Sequence, residues 1–257
     1  MSVTDWCEII EEHKPILLIE SDKIVFYPSE GDGLVQPQKL TDTKTFFVSA
    51  VSHELFTPVT AIIGLVQMAK DGIYVQETLQ KIEKHALKMQ RILEQLVVLS
   101  KVEKEDFVPN LTELNLEMLI KEILEEFKGR IEEKNLSFSL NTKGFIKVDR
   151  EAFKIALRNL ISNAVKYSPH GGEIKIYFEK NVLSIEDRGV GIPESELKNV
   201  TARFYRASNV RTVPGSGLGL AIVKHILRRF NIVWAIHSRL NHGTKVFIKI
   251  ERIDQSK

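Results

Sequence analysis

Residues 41–70, TDTKTFFVSAVSHELFTPVTAIIGLVQMAK, decide the architecture of this chain. Phe47, Val51, Leu55, Val59, Ile62, Val66 and Ala69 recur every three or four positions, which predicts one long amphipathic helix. At ~1.5 Å per residue such a helix spans ~45 Å. The run Lys70-Asp71-Gly72 breaks the pattern, and a second helix is predicted from about Val75 to Glu103. Its apolar stripe is Leu79, Ile82, Ala86, Met89, Leu93, Leu96 and ends near Ser100. Two long helices joined by a short turn make an antiparallel hairpin. One hairpin cannot cover both stripes, whereas two hairpins in a four-helix bundle can, so burial alone predicts a homodimer.

Upstream, residues 1–40 read as a short separate segment. A helix-like TDWCEIIEEH is followed by PILLIE and IVFYPS around a polar turn, which predicts a β-hairpin, and EGDGLVQPQ reads as a linker. The hairpin resembles the start of a PAS sensor domain but is too short to be a whole one. An extension packed on its neighbour is the simpler reading. Downstream, Pro109 in DFVPN marks the end of the helical region. Helices are expected around 115–134, starting near Asn115, and around 150–168, with Asp149 as N-cap. EIKIYFE and VLSIED alternate about Lys180-Asn181 as a hairpin, a Gly-rich turn precedes a helix near 217–230, and VWAIHS and KVFIKIE are the last strands. The expectation is an antiparallel sheet with helices on one face.

Composition narrows the function. With 36 Lys+Arg against 34 Asp+Glu, the net charge of +2 gives no electrostatic case for nucleic acid. The single Cys7 excludes an internal disulfide framework and suits a reducing, cytoplasmic compartment. No apolar run approaches the length of a membrane span, and no signal-peptide pattern is seen at the N-terminus. Met1 favours a complete chain, although a piece of a membrane receptor would read the same way.

Chemistry is concentrated in five segments. On the first long helix His53 lies off the main stripe, on a face with Phe46, Ala50, Thr57, Thr60 and Gly64. An imidazole is largely neutral near pH 7 and can act as a nucleophile. Pro58 removes the backbone bond to the Glu54 carbonyl and bends the helix beside it. A zinc-protease helix would need a second His where Thr57 stands, so that reading fails. In NLISNAVKYS, Asn159 and Asn163 project from one helix face, continued by Lys166 and Tyr167. Amide oxygens suit Mg²⁺, a lysine suits phosphate, and a tyrosine can stack on a base; a plain polar helix face is the alternative. In EDRGVGIP, Asp187 ends a strand ahead of Gly189 and Gly191, where a ligand could approach backbone, or the chain could simply turn. RFYRAS offers Arg206 to phosphate or to solvent. GSGLGLAIVKHI puts Gly215, Gly217 and Gly219 before a helix N-terminus, a setting for phosphate. Leu220 stands where the dinucleotide fingerprint has its last glycine, and the P-loop lysine is absent.

Taken in order, these segments resemble the sensor histidine kinases of two-component systems. FFVSAVSHELFTPVTAII is similar to the family's H-box, matching at Phe47, Ser52, His53, Glu54, Leu55, Thr57, Pro58, Thr60 and Ile62, and LVVLSKVE resembles the end of its second helix. The four later segments are similar to the N-box, first glycine box, F-box and second glycine box of the ATPase domain shared with gyrase and Hsp90. The resemblance implies that His53 is the phospho-acceptor, Glu54 its acid/base, and Thr57 the residue positioning water for regulator dephosphorylation. It implies ATP as substrate and Mg²⁺ on Asn163. Asn159 and Lys166 would line the phosphates, Tyr167 and Asp187 would meet adenine, and Arg206 would reach the γ-phosphate. Gly189, Gly191, Gly215, Gly217, Gly219 and Leu220 would shape the pocket and lid. It also implies a response-regulator receiver domain as partner. Phe56, Arg188, Thr201 and Ala202 depart from the family pattern, and FNIVWA lacks its usual Gly-Gly.

The expected architecture is therefore α+β and multidomain. Residues 1–40 form a short segment, 41–108 a dimerising and histidine-phosphotransfer helical hairpin, and 109–257 an α/β sandwich that binds ATP. A chain that mainly dephosphorylates its regulator, and a scaffold that binds nucleotide without transfer, are the rival readings. A DNA-reading helical protein is disfavoured, since neither long helix is basic along one face.

Overall fold

The computed structural model describes residues 3–20, 23–30, 44–102, 104, 107–213, 215 and 217–253; of 3–5, 44–54, 95, 98, 99 and 102 it describes the backbone alone. These residues fall into two compact units, Leu40–Lys104 on one side and Met1–Lys39 together with Glu105–Lys257 on the other.

The first unit is the helical hairpin. α2 (Lys44–Lys70) and α3 (Val75–Val102) are joined by a tight turn in which Ile73 N–H donates to the Met68 carbonyl at 3.0 Å. Pro58 is inside α2 and buried. On α3 the more buried positions, Thr78, Ile82, His85, Met89, Ile92 and Leu96, follow the helical repeat, as expected for the face turned to α2. A second row on the same helix, including Leu79, Leu93 and Val97, stays exposed.

The second unit begins with α1 (Val3–Glu12), β1 (Ile16–Glu20) and β2 (Lys23–Tyr27). After the hairpin come β3 (Leu111–Asn115), α4 (Leu116–Glu126), α5 (Lys128–Glu133), β4 (Ser137–Asn141), β5 (Phe145–Asp149) and α6 (Arg150–Tyr167). Then follow β6 (Glu173–Glu179), β7 (Val182–Asp187), α7 (Glu194–Leu197), a 3-10 turn at Ser208–Val210, α8 (Gly219–Arg229), β8 (Trp234–Arg239), β9 (Gly243–Lys249) and β10 (Arg252–Ile253). Seven strands form one sheet in the order β2-β1-β8-β9-β7-β6-β4, and β10-β5-β3 form a second.

Local chemistry sets the boundaries. Asn115 Oδ1 accepts from Met118 N at 3.0 Å and Asp149 Oδ1 from Ala152 N at 3.1 Å, capping α4 and α6. Lys180 and Asn181 take positive φ (47° and 62°), the geometry that matches a two-residue turn to the twist of β6 and β7. On α6, Phe153, Ala156, Leu157, Leu160, Ile161 and Ala164 are buried; α8 packs on α6, and its Ile222, Val223 and Ile226 are buried too.

Three expectations are corrected. The large sheet is not wholly antiparallel: β4 pairs parallel to β6, because β5 and α6 carry the chain across before β6 returns. The helix expected over 115–134 is two helices, divided at Phe127, whose φ of −106° and ψ of 3° leave the helical region. The described residues of 1–40 do not form a separate segment but pack on the rest of the second unit, as the simpler reading expected. β1 pairs antiparallel with β8, Ile16 to His237 through Ile19 to Trp234, and so extends the large sheet. Strand alternation buries both of its faces. Ile16 joins Ala235 and Phe247 beneath Trp6, Ile9 and Ile10, while Leu17 and Ile19 are buried on the opposite face.

Candidate nucleotide site and phospho-acceptor helix

The site in the second unit is built where α6 ends, β7 ends and α8 begins. Asp187 continues the buried row Leu183, Ile185 along β7 and is 8% exposed. Burial pushes its carboxyl up to about 6, against the pull of hydrogen bonds from the Gly189 and Thr244 backbone N–H groups. The Gly189 N–H donates to Oδ1 at 2.8 Å. The turn that follows is pinned from below. Val190 N–H approaches the Tyr167 carbonyl at 3.4 Å, Asn241 N–H donates to the Val190 carbonyl at 2.8 Å, and Ile192 N–H donates to Ser238 Oγ at 3.0 Å. Gly191 has φ +63°, and a Cβ there would overlap the Arg239 carbonyl oxygen. Only glycine meets both conditions.

Along α6, Asn159, Asn163, Lys166 and Tyr167 are half-buried. The Asn159 amide nitrogen donates to the Ile155 carbonyl at 2.8 Å, and a side chain at Gly219 would come within 3.1 Å of its Oδ1. The start of α8 is thus set directly against α6. Lys166 Nζ donates to the Tyr167 hydroxyl at 2.9 Å. Burial, then the charges of Arg206 and Arg130, push Lys166 down to about 8, and burial raises Tyr167. Gly215 runs against Lys166 Nζ, and the Gly217 carbonyl accepts from Phe204 N–H at 3.0 Å. Leu220 is half-buried in the first turn of α8. Arg206 donates to the carbonyls of Val210, at 2.6 Å, and Val213, so its guanidinium is folded back on residues 207–213, the segment that the resemblance makes the lid. Glu196 on α7 holds the same segment, accepting from Tyr205 Oη at 2.9 Å, Ser208 N–H at 2.8 Å and Ser208 Oγ.

In the first unit His53 and Glu54 lie in α2, five and four residues before the buried Pro58; their side chains fall outside the described residues. Thr57 and Phe56 are exposed, Phe56 at 69%.

Residues 148–253 match the family of histidine kinase-, DNA gyrase B- and HSP90-like ATPases, and residues 43–105 match the His kinase A (phospho-acceptor) domain. The chain belongs to the two-component sensor histidine kinases. The phosphate regulon sensor protein PhoR of Pseudomonas aeruginosa is 33% identical over 204 residues, 74% of this chain and 46% of its own. The histidine kinase AdeS of Acinetobacter baumannii has the same fold, with a TM-score of 0.58 and 24% identity over 79% of this chain and 98% of that one. The histidine kinase ThkA, solved in complex with the response regulator protein TrrA, has the fold at a TM-score of 0.53 and 20% identity, covering 99% of this chain and 84% of that one. The chain spans about half the length of the curated relatives it matches. Among the described residues no helix is long and apolar enough to cross a membrane.

The residues named from sequence in the second unit are brought to one place, around the ends of α6 and β7. The half-buried Asn163 carboxamide fits Mg²⁺: it is a hard oxygen donor, and Mg²⁺ needs few protein ligands when phosphates and water supply the rest. Two residues of the site were missed. Lys134 Nζ donates to the carbonyls of Val165, Lys166 and Ser168 at 3.1, 2.8 and 2.7 Å, holding the C-terminal end of α6. A lysine in a charged stretch carries no sign of this in sequence. Gly243, at φ +98°, lies where a Cβ would overlap the Asp187 carbonyl oxygen. The dipeptide His242-Gly243 between two strand patterns was the available signal. Of the departures from the family pattern, Thr201 is buried at 2% exposure, while Arg188 and Ala202 are exposed.

Proposed function

We propose that this chain is an ATP-dependent protein-histidine kinase of the cytoplasm that phosphorylates His53 and passes the phosphoryl group to an aspartate of a response regulator. The observation that carries the reading is the convergence of Asn159, Lys166, Asp187, the turn at Gly189–Gly191 and the glycines 215, 217 and 219 around the end of α6. The buried Asp187 carboxylate accepts the adenine amino group, and Tyr167 meets the base. Asn159, Asn163 and Lys166 line the triphosphate, with the metal on Asn163. Mg²⁺ held by Asn163 would supply charge neutralisation at the triphosphate. Arg206 exchanges its lid carbonyls for the γ-phosphate.

A ring nitrogen of His53 forms a bond to the γ-phosphorus as the bond to the bridging oxygen breaks. ADP leaves with that electron pair, and Glu54 takes the imidazole proton. The exposure of Thr57 suits a second activity, in which it orients water against a phosphorylated regulator. The ThkA–TrrA complex supports a receiver domain as partner. The exposed apolar row of α3 supports a homodimer.

The test is incubation with Mg²⁺ and γ-labelled ATP, followed by acid and alkali. Label stable to alkali, lost in acid and absent from His53→Ala is expected. Label retained by that variant would refute His53 as acceptor. Nucleotide binding without any label would favour the phosphatase or scaffold reading. Asn163→Asp is expected to weaken binding of the Mg²⁺–nucleotide complex, and unchanged affinity would remove Asn163 from the site.

A further inference from the structure

The N-terminal segment touches the nucleotide-site turn from two sides. From below, β1 lies along β8, and the last residues of β8 are the floor of that turn. The Pro15 carbonyl sits 2.9 Å from His237 Nδ1, and the Arg239 guanidinium donates to the Lys14 carbonyl at 2.7 Å. The Arg239 carbonyl is the atom against which Gly191 is packed. From the front, Ser29 donates through both its N–H and its Oγ to the two carboxylate oxygens of Glu194, each at 2.8 Å.

Glu194 opens α7, a helix of a single turn between the glycine turn and the lid. Its two carboxylates are divided. Glu194 is held by the N-terminal segment, while Glu196 is held by Tyr205 and Ser208 of the lid segment. A short helix tied at one carboxylate to Ser29 and at the other to the lid is a mechanical junction between them. Two hydrogen bonds to a charged acceptor are each stronger than a neutral pair, and together they fix the carboxylate in two directions.

We propose that the N-terminal segment is an input arm of the nucleotide site, with Ser29 and Glu194 as positioning residues that hold α7 and, through Glu196, the lid. The proposal rests on the reading that this site takes ATP. Displacement of the segment by whatever acts on it releases α7 and lowers nucleotide affinity. The arm belongs to the same compact unit as the site, so it needs no signal through the helices to act.

The test uses the full chain, with a non-hydrolysable ATP analogue and Mg²⁺ as the probe and amide hydrogen exchange over 190–210 as a second readout. Ser29→Ala and Glu194→Ala are each expected to weaken binding two- to fivefold and to speed exchange in that segment. The double variant should add nothing further, as for two halves of one contact. Ser29→Thr, which keeps the hydroxyl, should restore affinity. Wild-type affinity and exchange in Ser29→Ala, or single effects that add, would overturn the arm while leaving the site intact. A wild-type chain that binds no nucleotide would overturn the reading of the site, and the arm with it.

Discussion

The two units invert each other. The helical hairpin leaves large apolar side chains in water: Leu79, Leu93 and Val97 are all about half exposed, and Ile63 is 65% exposed. The sheet-bearing unit closes its core, with Trp234, Phe153 and Leu157 at 0%, and takes charged groups inside instead. Asp187, Lys166 and Lys134 all lose hydration there, and each is shifted mainly by burial. An exposed apolar row and a buried charge are the informative departures from ordinary protein surfaces and cores. The first indicates a partner surface, the second a site.

The contrast predicts that damage stays where it is made. Trp234→Ala deletes a fully buried indole on β8, the strand between β1 and β9, a change that costs ~3–5 kcal/mol in well-packed cores. Calorimetry is expected to show the transition of the sheet unit falling steeply while self-association is kept. Leu93→Asp makes the opposite cut. It lies on the exposed row of α3, and in a two-fold interface the charge enters twice. Sedimentation equilibrium should show the dimer weakened a hundredfold or more, with nucleotide affinity unchanged. A Leu93→Asp chain that stays dimeric would mean that the row faces something other than a second copy.

How far this contrast was legible in sequence depended on range. The hairpin at Lys180-Asn181, the cap at Asp149 and the helix start near Asn115 could be read because each is decided within three or four residues. The two apolar stripes of the helices were legible as periodicity, though half of the α3 stripe faces α2 and half is exposed. β3, β10, the parallel pairing of β4 and the joining of β1 to β8 were not, because nothing local marks which strand a strand will pair with. The site follows the same rule. Asp187, Lys166 and the glycines stand in short recognisable runs. Lys134 acts on carbonyls more than thirty positions away, and the Ser29–Glu194 contact spans 165.

The buried charges give the second unit a pH dependence of its own. Asp187 holds its proton to about 6 in the folded chain but to about 4 when unfolded, so between these values the folded state binds more protons. Stability therefore falls as pH rises through that window, by about 3 kcal/mol in all. It is flat with respect to this group on either side. Asp187→Asn should remove the slope, measured as urea midpoints of the sheet unit from pH 3.5 to 7. A wild-type slope that survives the substitution would locate its source elsewhere. Lys166 acts on binding at the other end. Its ammonium is lost as pH rises through about 8, so affinity for the nucleotide is expected to decline above that value in the wild type but not in Lys166→Met.

The smallest effect expected is the sharpest test of why the sheet unit buries charge at all. Lys134 gives three hydrogen bonds to the last carbonyls of α6, where the helix dipole is negative and intrahelical donors have run out. Those carbonyls belong to the stretch that carries Lys166 and Tyr167, and the Tyr167 carbonyl also meets Val190 N–H. Lys134→Met keeps the aliphatic stem and removes the ammonium, so packing is retained while the helix end is left without its donors. KM for ATP is expected to rise five- to tenfold with kcat little changed, since in the proposed site the loosened groups bind the nucleotide alike before and during transfer. Lys134→Arg should recover part of the loss. A fall in thermal stability with KM unmoved would make Lys134 a cap and nothing more, and the burial of its charge would then belong to the fold rather than to the site.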